Sequence, residues 1–162
     1  MLTEDNFFKQ VEQIFIESGE LDYKINTVLE KIGKLLGVSR VYIFEDDDKG
    51  GSTSNTYEWC NTGILPQKEV LQNISYRVIP SWRKFLKKDG RIYCEDIFKL
   101  PEDLIDVLMP QGIKSLVVYP CVKNNEILGF VGFDECCIKR KWLDTELTFL
   151  KTLAELLTRE IF

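Results

Sequence analysis

The sequence predicts an α+β fold in which an antiparallel sheet carries helices on both faces. Apolar residues recur at helical spacing near both ends of the chain, and short β-branched and aromatic runs occupy its middle. Two of these runs, 115–122 and 127–134, are joined by a tight turn at Asn124-Asn125, residues that tolerate the positive φ of such turns. The 162 residues suffice for one domain with one hydrophobic core.

Two amphipathic helices are predicted at the amino-terminal end. Phe7 and Val11 recur at helical spacing in the first helix, and Ile25 and Ile32 do so in the second. Gly37 follows the second helix in the position where helices commonly end with a left-handed residue. The chain therefore begins with two helices that each present an apolar face.

The strands are predicted from shorter patterns. Residues 40–45 are apolar on both faces, which is typical of a strand covered on two sides, and an acidic turn over 46–51 leads to a second strand that ends at Cys60. The following region is predicted to contain, in order, a helix over 66–73, a helix over 80–88, a strand over 91–95 and a helix over 101–109 with Pro101 at its first position.

A long helix is predicted from about Asp144 to the end of the chain, with two apolar stripes. The first stripe consists of Leu143, Leu147, Leu150, Ala154, Leu157 and Ile161. The second, Phe149, Leu153 and Leu156, is displaced from it by ~110°. Because one sheet contact needs only one stripe, we expect the second to form the interface of a homodimer; the alternative is that it packs on the first helix.

The composition excludes several classes of function. The chain has no histidine, which removes His-based acid–base catalysis, His-ligated zinc and haem held by a proximal His. Its 26 acidic and 21 basic residues give a net charge of −5, so we expect no nucleic-acid partner. There is neither a signal-peptide pattern nor a long apolar run, so we expect a cytoplasmic protein without direct membrane contact.

Several short motifs carry a family resemblance. They are Asn55-Thr56-Tyr57-Glu58-Trp59-Cys60, Leu100-Pro101, Gly112-Ile113-Lys114-Ser115, Gly129-Phe130-Val131-Gly132-Phe133-Asp134 and Arg140-Lys141-Trp142. Over roughly residues 5–162 the chain resembles a GAF domain, in particular the bacterial subgroup found in sensor histidine kinases and cyclic-di-nucleotide signalling proteins. The motifs are specific for the fold and much less so for any ligand.

The resemblance implies a central antiparallel sheet of five or six strands, with the N- and C-terminal helices on one face. Short helices and loops, supplied here by residues 61–113, would cover the other face and enclose a pocket against it. The chain would then be a single GAF-like domain over residues 1–162. Because the last helix has no capping residue, we expect this domain to be part of a longer signalling protein that carries an output domain in the same polypeptide.

The candidate ligand-binding residues are six aromatic side chains and one carboxylate on or beside the expected pocket elements. They are Phe44, Trp59, Trp82, Tyr93, Asp96, Tyr119 and Phe133. Aromatic walls with a few polar groups are typical of small-molecule sites. The alternative is that these aromatic residues fill the core.

The best-known ligands of the resembled family are not expected here. Members that bind cyclic nucleotides carry an Asn-Lys pair and a later Asp, and the matching region holds Asp134, Trp142 and Glu146 instead. Bilin-carrying members usually attach the chromophore to a Cys followed by His, which this chain lacks. The Asp46–Gly51 turn departs from a calcium loop at its fifth and twelfth positions. We therefore expect neither a cofactor nor a metal.

The sequence thus predicts a non-catalytic sensory module of a two-component system that binds a small molecule, dimerises, or does both. It would pass a helix displacement through residues 144–162 to an output domain such as a histidine kinase. Two alternatives remain open. One is a ligand-free dimerisation scaffold, and the other is a thiol-dependent free methionine sulfoxide reductase in which Cys94 and Cys121 meet near Arg91. The five cysteines are otherwise expected to be inert reduced thiols.

Overall fold

Five helices and six strands make up the computed structural model, which describes residues 3–162. The helices are α1 (Glu4–Ile16), α2 (Leu21–Leu36), α3 (Pro80–Asp89), α4 (Glu102–Leu108) and α5 (Asp144–Ile161). The strands are β1 (Arg40–Asp46), β2 (Ser52–Cys60), β3 (Ile74–Ser75), β4 (Ile92–Cys94), β5 (Ser115–Lys123) and β6 (Glu126–Glu135). Two 3₁₀ turns lie at Ile97–Lys99 and Met109–Gln111.

All six strands join one antiparallel sheet in the order β3-β2-β1-β6-β5-β4. The β5–β6 hairpin closes through Asn124 and Asn125, whose φ angles are +52° and +62°. The α+β fold with an antiparallel sheet is therefore confirmed, and the sheet has six strands. Gly37 ends α2 in the left-handed conformation, with φ of +62°, as its position predicted.

Helices α1, α2 and α5 cover one face of the sheet, which we call the helix face. Because successive side chains of a strand point to opposite faces, Val41 and Ile43 of β1 point towards these helices. Helix α2 approaches β2 closely at Gly33, where a Cβ atom would lie 2.1 Å from the Trp59 ring. The terminal helices therefore share one face, as the resemblance implied.

The opposite face, which we call the cavity face, is covered by α3, α4 and the segment 71–79. We refer to these three elements as the cover. Tyr42 and Phe44 point to the cavity face from β1, in alternation with the residues that meet the helices. In β2 one extra residue, Thr56, interrupts the register opposite Ile43 and Phe44.

The predicted helix over 66–73 is wrong. This segment forms turns, and the Glu58 carboxylate accepts hydrogen bonds from the backbone N–H groups of Gln67 at 2.9 Å and Lys68 at 3.2 Å. A side chain of β2 thus satisfies the first N–H groups of this segment, and the later ones of Val70 and Leu71 both donate to the Gln67 carbonyl in a single turn. Pro101 lies at the N-cap of α4 instead of its first helical position. The other predicted helices and strands are present, with ends shifted by a few residues.

The predicted dimer interface is also wrong in its residues. Phe149, Leu153 and Leu156 are 8%, 0% and 3% exposed within the single chain. The Phe149 ring packs between Phe7 and Phe8, with ring centroids 4.8 and 4.9 Å away. The second stripe of α5 is therefore buried within the single chain, and Phe149 packs on α1, as in the alternative that the sequence left open.

Candidate ligand-binding site

A cavity of about 40 Å³ lies between the cavity face and the cover. Side chains of β1, β2 and β6 form its floor, and side chains of the cover form its roof. This space can hold ordered water, whereas a ring-sized ligand enters only if the cover moves outwards. The cavity therefore has the aromatic and polar lining of a small-molecule site but a smaller volume than such sites usually have.

One wall of the cavity is aromatic. The Phe44 and Phe130 rings are nearly parallel, with centroids 4.7 Å apart and an interplanar angle of 14°. The Trp82 ring, on α3, contacts Phe130, with ring centroids 5.2 Å apart and an interplanar angle of 53°. A planar ligand could therefore lie against a wall of ring faces and edges, an arrangement that favours aromatic partners.

A buried ion pair lies at the floor. Asp134 and Arg40 are 1% and 2% exposed, and an Arg40 Nη1 lies 3.3 Å from Asp134 Oδ2. The Tyr42 hydroxyl donates to Asp134 Oδ1 at 2.8 Å. Tyr42 reaches this carboxylate across β6 at Gly132, where a Cβ atom would lie 2.0 Å from its ring. Glycine at 132 is therefore a requirement of the network.

The remaining Arg40 donors tie the sheet to the segments around the cavity. Nε donates to the Leu65 carbonyl and Nη2 to the Gln111 carbonyl, each at 3.0 Å. Burial raises the pKa of Asp134 to about 7, although the hydrogen bond from Tyr42 and the charge of Arg40 act in the opposite direction. Arg40 thus connects the Asp134 carboxylate to the segments that contain Leu65 and Gln111.

Two buried polar atoms at the cavity have no partner. The Trp82 indole N–H donates to nothing, and Asn55 Oδ1 accepts from nothing, although Asn55 Nδ2 lies 3.4 Å from Glu58 Oε2. Their side chains are 5% and 1% exposed. Unpaired buried groups carry a desolvation cost, which a ligand or an ordered water relieves when it binds.

Only two of the seven candidate binding residues, Phe44 and Trp82, line the cavity. The assignment of Tyr119 and Phe133 to the pocket is wrong, because strand alternation turns both to the helix face. The Tyr119 hydroxyl donates to the Leu147 carbonyl of α5 at 3.0 Å. Whether Phe44 and Trp82 bind a ligand remains a prediction.

Trp59, Tyr93 and Asp96 are likewise not pocket residues. Trp59 packs on α2 at Gly33, and Tyr93 packs against the helix-face core. Asp96 accepts from Lys139 Nζ at 2.7 Å and from the backbone N–H of Phe98 at 3.1 Å, at the start of a 3₁₀ turn. Its role is local, because it lies outside the cavity lining.

Sequence reasoning missed Tyr42, Asn55, Glu58 and Asp134, which all line the cavity. Tyr42 could have been found, since it precedes Phe44 by two residues and so shares its face. Asn55 and Glu58 are three residues apart, and only the extra residue Thr56 brings both to the cavity face. A bulge leaves no clear signal in a single sequence.

The two thiols considered for catalysis lie on opposite faces of the sheet. Cys94 is in the cavity-face core and Cys121 is in the helix-face core. Burial raises the pKa of each thiol to about 11, which disfavours the reactive thiolate at neutral pH. The expectation that they could meet is therefore wrong.

Known proteins share this architecture. Residues 21–161 match the family model of the GAF domain. The methanogenesis regulatory histidine kinase FilI of Methanothrix harundinacea (strain 6Ac) is 33% identical over 139 residues, which cover 83% of this chain and 16% of the kinase. The chain therefore belongs to the GAF domain family. Its general class of function is sensory and regulatory.

Two solved structures illustrate the shared fold. The phycocyanobilin-bound GAF domain of a cyanobacterial phytochrome superposes with a TM-score of 0.82 at 21% identity, over 99% of this chain and 94% of that one. The GAF domain of an Acinetobacter phosphoenolpyruvate-protein phosphotransferase gives 0.74 at 15% identity, over 99% and 94%. At these identities the likeness defines the fold alone.

Proposed function

We propose that this chain is a non-catalytic sensory module that binds a small molecule in the cavity between the sheet and its cover. Binding would move the terminal helices and so act on an output domain in the same polypeptide. The observation that carries the proposal is an aromatic cavity in which a buried donor and a buried acceptor have no partner. The kinase relative, of which this chain covers 16%, supports a histidine kinase as the output domain.

Strand β6 provides a direct route between the two faces. Phe130 and Asp134 line the cavity from one side of this strand, while Phe133 packs among the helices on the other. Beyond the strand, Arg140 donates to the Leu36 carbonyl of α2 at 3.0 Å and to Glu146 of α5 at 2.7 Å. A ligand that favours one position of β6 would therefore shift the helices, provided that it binds one arrangement more tightly than the other.

A bilin is not the ligand that this cavity fits. The structural neighbour from a phytochrome binds phycocyanobilin, but this chain contains no histidine. Its cavity of about 40 Å³ has no cysteine among the lining residues within the described range 3–162. A tetrapyrrole would have to displace much of the cover, so the proposal is restricted to smaller ligands.

Dimerisation through the terminal helices remains part of the proposal, with other residues than those first predicted. Ile16 at the end of α1 and Tyr23 near the start of α2 are 77% and 74% exposed. Leu21, between them in the sequence, is 42% exposed, so three exposed apolar side chains lie close together in the sequence where α1 leads into α2, and a group of this kind favours a partner surface. Sedimentation velocity should show a dimer that Ile16→Glu weakens, and a monomer at all concentrations would contradict this part of the proposal.

Ligand binding can be tested by thermal unfolding in the presence of nucleotides, amino acids, organic acids and uncharged heterocycles. A ligand that binds only the folded state raises the melting temperature, and the increase grows with the logarithm of the ligand concentration divided by its Kd. We expect at least one compound to do so, and Leu108→Phe, which fills the cavity, should reduce its effect. Leu143→Phe, at the exposed N-cap position of α5, is the matched control.

The same experiment separates this proposal from its alternatives. A chain that no compound stabilises would be a ligand-free scaffold. A compound that stabilises the wild type and the filled-cavity variant Leu108→Phe equally would bind elsewhere. The reductase alternative requires thiol-dependent turnover of a free sulfoxide, which we do not expect because Cys94 and Cys121 lie on opposite faces.

A further inference from the structure

The polar groups of the cavity specify a ligand chemistry. We infer that the cavity takes a small, planar, uncharged ligand that presents one hydrogen-bond acceptor and one donor, as an aromatic amide or lactam does. The acceptor would pair with the Trp82 indole N–H and the donor with Asn55 Oδ1. This inference rests on the proposed sensory function and specifies the class of molecule sensed.

The charges around the cavity exclude an anion. Within the described residues 3–162, the lining contains two carboxylates, Glu58 and Asp134, and no lysine or arginine. Each nitrogen of the Arg40 guanidinium, below the floor, already donates to Asp134 or to the carbonyl of Leu65 or Gln111. A carboxylate or phosphate ligand would therefore lose its hydration and find no counter-ion.

The existing carboxylates do not call for a cationic ligand either. Glu58 accepts from the backbone N–H groups of Gln67 and Lys68, so its charge is stabilised by the chain itself. Asp134 is held by the Tyr42 hydroxyl and by Arg40. What remains unpaired is neutral: one indole N–H and one amide oxygen.

The other polar groups of the lining have partners. The Gln111 amide donates to the Val107 carbonyl at 2.8 Å, and the Thr53 hydroxyl lies 3.4 Å from the Glu45 carbonyl. Among the buried polar side-chain atoms of the cavity lining within residues 3–162, those without a partner are therefore the Trp82 indole N–H and Asn55 Oδ1. Because both residues are more than nine-tenths buried, a ligand that pairs with these two atoms relieves the desolvation cost of both.

The aromatic wall favours a flat ligand. The parallel rings of Phe44 and Phe130 and the tilted ring of Trp82 meet at one side of the cavity. A planar molecule can stack there while its polar edge reaches Trp82 and Asn55. The cavity volume is about 40 Å³, so even a ligand of a single ring fits only after the cover moves outwards. The ligand is therefore expected to be small.

Isothermal titration calorimetry with benzamide and benzoate tests the inference, because the two probes share a shape and differ in charge. At neutral pH and millimolar concentrations we expect benzamide to bind and benzoate to bind at least about tenfold more weakly. Trp82→Phe keeps an aromatic ring and removes the indole N–H, so it should weaken the binding of benzamide by about fivefold. Asn55→Leu should have a similar effect.

The matched control is Trp142→Phe, which removes another buried indole N–H without a partner, outside the cavity lining. It should leave benzamide affinity unchanged. Equal binding of benzoate, no binding of benzamide, or no effect of Trp82→Phe would overturn the inference. The proposed function would survive any of these results if another compound raised the melting temperature, and would fall only if none did.

Discussion

On the helix face, Phe133, Leu150 and Leu153 are completely buried among apolar neighbours from α1, α2 and α5. On the cavity face, Trp82 and Asn55 are buried with polar atoms that have no partner, beside free space. The same strands supply both faces, with alternate residues pointing each way. The helix face also contains one such atom, the indole N–H of Trp142, but the cavity face combines two of them with free space and a buried ion pair.

This contrast indicates where function lies. A buried ion pair and unpaired polar atoms are poorer sources of stability than the apolar packing that could replace them. Departures from efficient packing concentrate at functional sites, where the surrounding structure compensates for them. The closely packed helix face supplies that compensation, and β6 connects it to the cavity.

Breaking the buried ion pair should have the largest effect. Asp134→Leu would leave Arg40 charged and uncompensated, so the free energy of unfolding should fall by about 3–5 kcal/mol in urea titrations. The control is Glu30→Gln, which breaks the exposed Lys34–Glu30 pair and should cost less than about 1 kcal/mol. Similar losses in both variants would show that the cavity-face network has no special role.

A matched pair of truncations compares the two faces directly. Leu153→Ala on the helix face should lower the free energy of unfolding by about 3 kcal/mol, because it opens a void in a filled core. Leu108→Ala, which borders the existing cavity, should cost about 2 kcal/mol since its side chain has fewer packing partners. A larger loss for Leu108→Ala would mean that the cavity face is the tighter of the two.

The pH dependence of stability should reflect Asp134. Its pKa in the folded chain is about 7, above the ordinary value, so between these two values the folded chain keeps a proton that the unfolded chain has lost. The free energy of unfolding should therefore fall as pH rises from 5 to 8, on the order of 2 kcal/mol.

Because the chain has no histidine, no imidazole side chain titrates in this pH range. Asp46 contributes in the same direction, because burial also raises the pKa of its carboxyl. Chemical denaturation across the range should show a smaller slope for Asp134→Asn than for the wild type. Equal slopes would show that Asp134 is ionised throughout.

Thiol reactivity should show the smallest effect on the fold. Cys137 is exposed, so a maleimide should modify it first, with little change in melting temperature. Cys94 and Cys121 are buried with the pKa of each raised to about 11, and should react only on unfolding. Peptide mass spectrometry of the labelled chain gives the rate at each cysteine. Fast labelling of Cys94 or Cys121 in the native chain would contradict their placement in the two cores.

The fold was largely predictable because its elements carry local signals. The helical spacing of α1, α2 and α5, the two-sided run of β1 and the Asn124-Asn125 turn each indicate one structure. The failed helix over 66–73 shows the limit. Its backbone is capped by Glu58, a residue of β2, and such a tertiary contact cannot be read from local spacing.

The site was less predictable than the fold. The aromatic candidates were assigned to the pocket, with core packing as the alternative. The face that each one occupies depends on strand register, which places Tyr119 and Phe133 among the helices. The extra residue Thr56 decided the positions of Asn55 and Glu58. The second stripe of α5 was assigned to a dimer interface because a buried seam between helices and a dimer seam have the same sequence pattern.

Native mass spectrometry of the chain purified from its own cells, with Trp82→Ala and Trp142→Phe prepared in parallel, tests most directly whether the cavity holds a ligand. The structure leads us to expect a small bound molecule in the wild type and in Trp142→Phe, and its loss from a folded Trp82→Ala. Trp82→Phe serves the same comparison if the alanine variant unfolds, with a reduced bound fraction expected. A molecule retained equally by all variants, or none in any, would contradict a ligand site on the cavity face.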